Sequence, residues 1–108
     1  MTRPLTSEER RRAQRVLLRV PVRIKVAGRA QPIEGATHTV SATGALVALP
    51  EALPQGTKIS IENISTQKTV EAHVPRPAQY STEGSLVPIE FIGPAPNFWN
   101  VFFPPVIN

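Results

Sequence analysis

The sequence predicts an all-β domain folded as a small closed barrel or sandwich. Short segments alternate apolar and polar residues, and turn-forming residues separate them at about 8–12-residue spacing. No stretch shows the 3.6-residue apolar repeat of a long helix. With 108 residues, 41% of them hydrophobic, the chain suits one globular domain with its own core.

The first strand is predicted over residues 16–26, where apolar and basic residues alternate. Val22 and Ile24 point to one face, and Arg23 and Lys25 point to the other. Pro21 has no backbone N–H, so it indicates an edge position or a bulge within this strand.

Five further strands follow from the same alternation. They are predicted over residues 36–41, 45–49, 58–64, 70–74 and 87–91. A tight turn, Ala42-Thr43-Gly44, joins the first two. Residues 75–84 contain two prolines and a glycine, which predicts a loop.

Both ends of the chain have a pattern of their own. Thr6 and Glu9 fit a capping box, which predicts a short helical turn over residues 7–13, although residues 10–12 also suit a mobile arm. After the last strand come four aromatic residues: Phe98, Trp99, Phe102 and Phe103. We expect them to cap an open barrel end. A stacking platform for nucleic acid is the alternative, but such platforms interleave aromatic with basic residues, and no Lys or Arg follows Arg76.

Positive charge is concentrated at the N-terminal end. Residues 1–29 hold nine Lys or Arg and two Glu, a local charge of +7, whereas residues 30–108 hold three and six, a charge of −3. This distribution indicates a localised anion-binding site, whose ligand could be a nucleotide, nucleic acid or an acidic surface.

Composition argues against an enzyme. The chain has no cysteine, which excludes disulfides, thiolate metal sites and cysteine nucleophiles. It also has no aspartate. His38 and His73 lie on different predicted strands, so we expect ordinary half-exposed residues and no metal site. No glycine-rich phosphate loop or nucleophile elbow is present, and we expect no cofactor.

No segment resembles a membrane or export signal. No apolar run approaches the roughly 20 residues of a membrane span. The first 12 residues are polar and basic, unlike a signal peptide. The expected location is therefore the cytoplasm.

Two short patterns carry chemistry that suits a nucleotide. Arg11 and Arg15 stand four apart before the first strand, and guanidinium groups can grip a phosphate, pair with guanine O6 and N7, or stack on a purine. Ser41 and Gly44 flank a tight turn, where a hydroxyl and bare backbone can approach a ligand closely.

In this order and spacing the two patterns resemble the PilZ domain family. That family is marked by RxxxR and, further along the chain, by [D/N]xSxxG, which Arg11 to Arg15 and Thr39 to Gly44 match. The closing segment, residues 88–94, and Trp99 are similar to the last strand and aromatic follow-on of the family.

The resemblance implies a six-stranded antiparallel barrel that binds cyclic di-GMP and passes the signal to an unidentified partner protein. Residues 1–9 would form a basic flexible arm, and residues 10–108 the barrel domain with its short aromatic C-terminal segment. The implied ligand-binding residues are Arg10, Arg11, Arg12, Arg15, Thr39, Ser41 and Gly44. The arginines would engage guanine and phosphate, while the serine and glycine would line the barrel face beneath the other guanine.

Thr39 departs from the family pattern, because it stands where the family has Asp or Asn. A carboxylate can accept two donors from a guanine edge, and a threonine hydroxyl carries no charge. A module that does not bind cyclic di-GMP and acts as a protein-interaction adaptor is therefore the second hypothesis. A small-barrel nucleic-acid binder is the third and least favoured.

Overall fold

The computed structural model describes residues 15–101. The capping box and the arginines at positions 10–12 lie outside this range, so the structure does not test the helical turn predicted there. The described chain forms eight strands. They are β1 (Arg15–Leu17), β2 (Pro21–Val26), β3 (Ile33–Ser41), β4 (Gly44–Leu49), β5 (Lys58–Asn63), β6 (Lys68–His73), β7 (Gln79–Ser81) and β8 (Gly84–Phe91).

Six of these strands close into a ring. Every neighbouring pair is antiparallel, in the order β2, β3, β4, β8, β6, β5 and back to β2. The short strands β1 and β7 add to β3 and β8. Closure pairs the edges that an open sheet would expose. The predicted six-stranded antiparallel barrel is confirmed.

The barrel interior is filled by the apolar members of the alternating strands. Val22, Ile24, Val47, Ile61 and Val87 are all fully buried. Because neighbouring side chains in a strand point to opposite faces, the intervening polar residues remain outside. Within residues 15–101 no helix is long and apolar enough to cross a membrane.

The predicted first strand is interrupted. Between Leu17 and Pro21 the backbone forms hydrogen bonds with the side chain of Thr37. The Thr37 hydroxyl accepts from the Val20 N–H at 2.8 Å and donates to the Leu18 carbonyl at 2.5 Å. A side chain thus replaces part of the ladder there, and Pro21 starts β2. The prediction of one continuous strand was wrong because this partner comes from β3.

The predicted loop over residues 75–84 contains another strand. β7 pairs with β8 through Ser81 opposite Gly84, and the Glu83 N–H donates to the Ser81 hydroxyl at 3.1 Å. Gly84 has a φ of 114°, which a residue with a side chain rarely adopts. β7 is exposed throughout, so it shows no apolar alternation that could have predicted it.

The aromatic segment caps one end of the barrel. Phe98 and Trp99 are 3% and 4% exposed, and their rings meet edge to face at 4.8 Å. Phe91 of β8 completes this aromatic cluster, with its ring centroid 5.0 Å from that of Phe98. The Asn63 amide donates to the Phe98 carbonyl at 2.8 Å and fixes the segment to β5. The capping prediction is confirmed for Phe98 and Trp99, while Phe102 and Phe103 lie outside the described range.

Candidate functional site

The turn between β3 and β4 forms the centre of the candidate site. Ser41 and Gly44 are paired residues on either side of Ala42 and Thr43. The Thr43 N–H donates to the Ser41 hydroxyl at 3.4 Å, and that hydroxyl lies 3.5 Å from the Gly44 carbonyl. Serine hydroxyls often satisfy backbone groups of their own turn in this way. The side chain is therefore held close to the turn.

Trp99 supports this turn from beneath. Its indole N–H lies 3.0 Å from the Ser41 carbonyl and 3.2 Å from the Gly44 carbonyl, and it donates to both. In addition, the Phe91 N–H donates to the Thr43 carbonyl at 2.9 Å. The aromatic cap thus fixes the turn to the barrel. Sequence reasoning expected Trp99 in the core but missed this role, which needs a partner 58 residues away.

Gly44 is required by the close approach of two strands. A Cβ atom built on Gly44 would lie 2.1 Å from the carbonyl oxygen of Ile89 in β8. Real Cβ atoms do not approach backbone oxygen so closely. The last position of the SxxG pattern is therefore explained by packing, whether or not a ligand is present.

Arg15 lies directly across from this turn. In the register of β1 and β3, Arg15 is the partner of Ser41, and paired residues in antiparallel strands project to the same face. Together with Thr43 and Gly44 they line a small polar pocket of about 50 Å³. Two elements that are 26 residues apart in sequence thus meet on one face of the barrel.

A β-bulge in β3 turns the motif residues outward. Thr37 pairs with Val47 and Thr39 pairs with Leu46, which leaves His38 as an extra residue. Thr37 therefore faces the interior, whereas Thr39 and Ser41 share the outer face. Without the extra residue all three side chains would point the same way.

Thr39 lies one row away from Ser41 on this face. Its paired neighbours are Leu17 in β1 and Leu46 in β4. The hydroxyl oxygen of Thr39 is buried and has no hydrogen-bond partner among residues 15–101. A buried hydroxyl without a partner is unusual and destabilising. Among the expected residues that the structure describes, it is the one with a buried polar side-chain atom that lacks a partner.

The seven expected site residues divide into two groups. The structure brings Arg15, Ser41 and Gly44 around one pocket, with Thr39 beside it. The arginines at positions 10, 11 and 12 lie outside the described residues. Their proposed contacts stay predictions.

Two charged residues that sequence reasoning left out also line the pocket. Arg76 lies on the loop after β6, and Glu90 of β8 is the strand partner of Gly44. His73 contacts the Glu90 carboxylate at 2.9 Å. The sequence offered one hint for Arg76, which is the last cation of the chain and stands between two prolines. Nothing in the sequence near Glu90 marked it.

Both histidines are half-exposed strand residues, as predicted. His38 lies 3.2 Å from Glu83, and His73 lies beside Glu90. Among the residues from 15 to 101, no three His, Asp or Glu side chains lie close enough together to hold a metal ion.

A larger groove lies elsewhere on the barrel. It has a volume of about 720 Å³ and runs over Gly35, Ala36 and Ala48. Its lining includes one arginine, Arg19, which lies 3.7 Å from Glu83, and a second carboxylate, that of Glu34. Such a groove has no net positive charge to attract an anionic ligand. The smaller pocket at the Ser41–Gly44 turn is therefore the better candidate.

A search of curated proteins and a search of solved structures each found no match. The PilZ domain family model matches residues 9–92, a segment that includes β1 to β8 and both sequence motifs and ends before Trp99. Because this match spans well over half of the chain, the chain belongs to the PilZ domain family.

Proposed function

We propose that this protein binds cyclic di-GMP on the face formed by Arg15 and the Ser41–Gly44 turn, and that binding changes its interaction with a partner protein. PilZ domains are binding modules rather than enzymes, and they generally bind cyclic di-GMP. The observation that carries the proposal is the register of β1 and β3, which sets Arg15 opposite Ser41. A cytoplasmic location is part of the proposal.

The chemistry of this face suits a cyclic dinucleotide. Arg15 is exposed, and within residues 15–101 it forms no ion pair with a carboxylate, so its guanidinium can bind a phosphate or a guanine edge. Gly44 is buried against β8, and the exposed residues of the turn are Ala42 and Thr43. Arg15 thus places a positive charge beside an exposed turn.

The arginines before β1 would complete the site. Arg11 is the other member of the RxxxR pattern, and Arg10 and Arg12 flank it. We propose that Arg11 engages the ligand together with Arg15 and that its two neighbours add phosphate contacts. Each guanidinium brings charge that a dianionic ligand favours.

A second candidate function is that of a protein-interaction module without a nucleotide ligand. The observation that favours it is Thr39, whose hydroxyl is buried where the family has Asp or Asn. Leu17, the strand partner of Thr39, is 79% exposed, which gives this face some apolar character. A protein surface could cover it. Nucleic-acid binding has no comparable support, because Phe98 and Trp99 are buried.

Isothermal titration of cyclic di-GMP tests the proposal, with Arg15→Ala as the critical variant. We expect wild type to bind and Arg15→Ala to bind about 10- to 150-fold more weakly, which corresponds to the roughly 1.5–3 kcal/mol of a charge-assisted hydrogen bond. Arg29→Ala is the matched control, because Arg29 is exposed but pairs with Glu51. It should bind as wild type does.

Two results would contradict this proposal. If wild type shows no binding at high ligand concentration, the adaptor hypothesis takes its place. If wild type binds but Arg15→Ala and Arg29→Ala both equal it, the ligand lies on another face.

Thr39→Asp is expected to tighten cyclic di-GMP binding by about tenfold or more, because it restores the carboxylate that the family uses at this position. Thr39→Val is the matched control, since valine has the same shape without the hydroxyl. Removing a buried hydroxyl that lacks a partner should leave stability unchanged or slightly raised. Equal affinities for the aspartate and valine variants, measured by the same titration, would show that position 39 does not contact guanine.

A further inference from the structure

We propose that Arg76 is a second phosphate-binding residue of this site and acts opposite Arg15. This inference rests on the proposed function, and it names a residue that belongs to neither sequence motif. Arg76 lies on the loop between β6 and β7, far in sequence from both.

Arg76 borders the same two cavities as Arg15. Arg15 and Arg76 both line the small pocket at the Ser41–Gly44 turn, and both line an adjoining cleft of about 220 Å³. We call the two cavities together the arginine cleft. Two side chains that are far apart in sequence thus border both cavities.

The arginine cleft contains arginines that differ in their ion pairing from the other arginines of residues 15–101. Among the five arginines within residues 15–101, three form ion pairs with glutamates: Arg19, Arg23 and Arg29. Arg15 and Arg76 have no such partner in that part of the chain. Two cations bordering one cavity repel each other and raise its positive potential. A bound anion between them would relieve this repulsion.

The lining of the larger cavity decides which part of a ligand would bind there. Its lining includes the apolar residues Leu46, Leu86 and Pro88 and the polar residue Gln79, but no carboxylate. Glu90, by contrast, lines the smaller pocket. A phosphate therefore fits this cavity, which both arginines line, better than the pocket that contains Glu90, and the apolar residues can contact a purine face. This is the combination that one nucleotide of cyclic di-GMP presents.

The backbone holds Arg76 in place for this role. Pro75 and Pro77 stand on either side of it, so its own backbone is biased towards an extended conformation and the flanking φ angles are restricted. Gln55 donates to the Pro75 carbonyl at 3.2 Å and fixes the loop to the strand connection before β5. A pre-positioned backbone lowers the entropy lost when the side chain binds.

The test is a titration of cyclic di-GMP into wild type, Arg15→Ala, Arg76→Ala and Arg29→Ala at low and high sodium chloride. Arg76 is exposed, so its replacement should leave the fold intact, which a circular dichroism melt checks. We expect Arg76→Ala to weaken binding at least tenfold at low salt. We also expect its affinity to depend less on salt than that of wild type, because one phosphate contact is lost. Arg29→Ala should match wild type in both respects.

The outcomes separate this inference from the proposed function. If wild type binds, Arg15→Ala loses affinity and Arg76→Ala matches Arg29→Ala, the role of Arg76 is wrong while the proposed function stands. If Arg76→Ala weakens binding but keeps the salt dependence of wild type, Arg76 does not bind phosphate and the inference is overturned. If wild type does not bind, the proposed function itself fails.

Discussion

Replacing Gly44 with alanine is expected to lower the free energy of unfolding by about 3 kcal/mol, at the upper end of the overpacking range. The added Cβ would lie 2.1 Å from the Ile89 carbonyl oxygen, so β4 and β8 would have to move apart. Backbone cannot rotate away as a flexible side chain can. The hydrogen bonds between β4 and β8 would be strained as a result.

Urea denaturation of Gly44→Ala measures this effect. Gly28→Ala is the control, because Gly28 has a φ of 84° but nothing within 4 Å of an added Cβ. It should lose only the roughly 1–2 kcal/mol of a left-handed backbone conformation. Equal destabilisation of the two variants would show that the contact with Ile89 is relieved at little cost.

The role of Gly44 in packing affects how binding data are interpreted. A Gly44 variant that fails to bind cyclic di-GMP has lost the local geometry of β4 and β8, and its failure does not show that the glycine contacts ligand. Arg15 and Arg76 are better probes, because both are exposed and neither supports the core.

Trp99→Ala is expected to destabilise the protein by about 4 kcal/mol, the usual range for removing a buried aromatic side chain. Trp99 packs against Phe91 and Phe98, with ring centroids 6.0 Å and 4.8 Å away. Trp99→Phe would keep much of that packing and would remove the N–H that holds the Ser41 and Gly44 carbonyls. Its expected cost is about 1–2 kcal/mol.

Thermal unfolding of the two Trp99 variants checks both values. Tyr80→Ala is the control, since Tyr80 is 89% exposed and its removal should change stability by less than about 0.5 kcal/mol. If Trp99→Ala unfolded at the temperature of Tyr80→Ala, the aromatic cap would contribute nothing to the barrel. If Trp99→Phe matched wild type, the indole hydrogen bonds would be dispensable.

The barrel was predictable because most of its strands have one buried and one exposed face. Val22 and Ile24, for example, are buried on either side of half-buried Arg23. The break between β1 and β2 was not predictable, because it depends on the Thr37 side chain from another strand. β7 was missed for a different reason, since a fully exposed strand leaves no periodic signal.

The candidate site was predictable where its residues form spaced patterns. Arg15, Ser41 and Gly44 were expected together, and strand register brings them together. Arg76 could not be found in this way, because its position depends on where the loop after β6 folds. The outward direction of Thr39 and Ser41 likewise depends on the bulge at His38, which no local residue preference marks.

The most direct test of the account is a ¹H–¹⁵N correlation spectrum of the wild-type protein, recorded as cyclic di-GMP is added. The chain has one tryptophan, so a single indole N–H signal reports on the Ser41–Gly44 turn. We predict that this signal and the amides of Arg15, Ser41, Gly44 and Arg76 shift together and saturate. Unchanged signals at saturating ligand, or shifts confined to the larger groove near Gly35 and Ala48, would contradict the account.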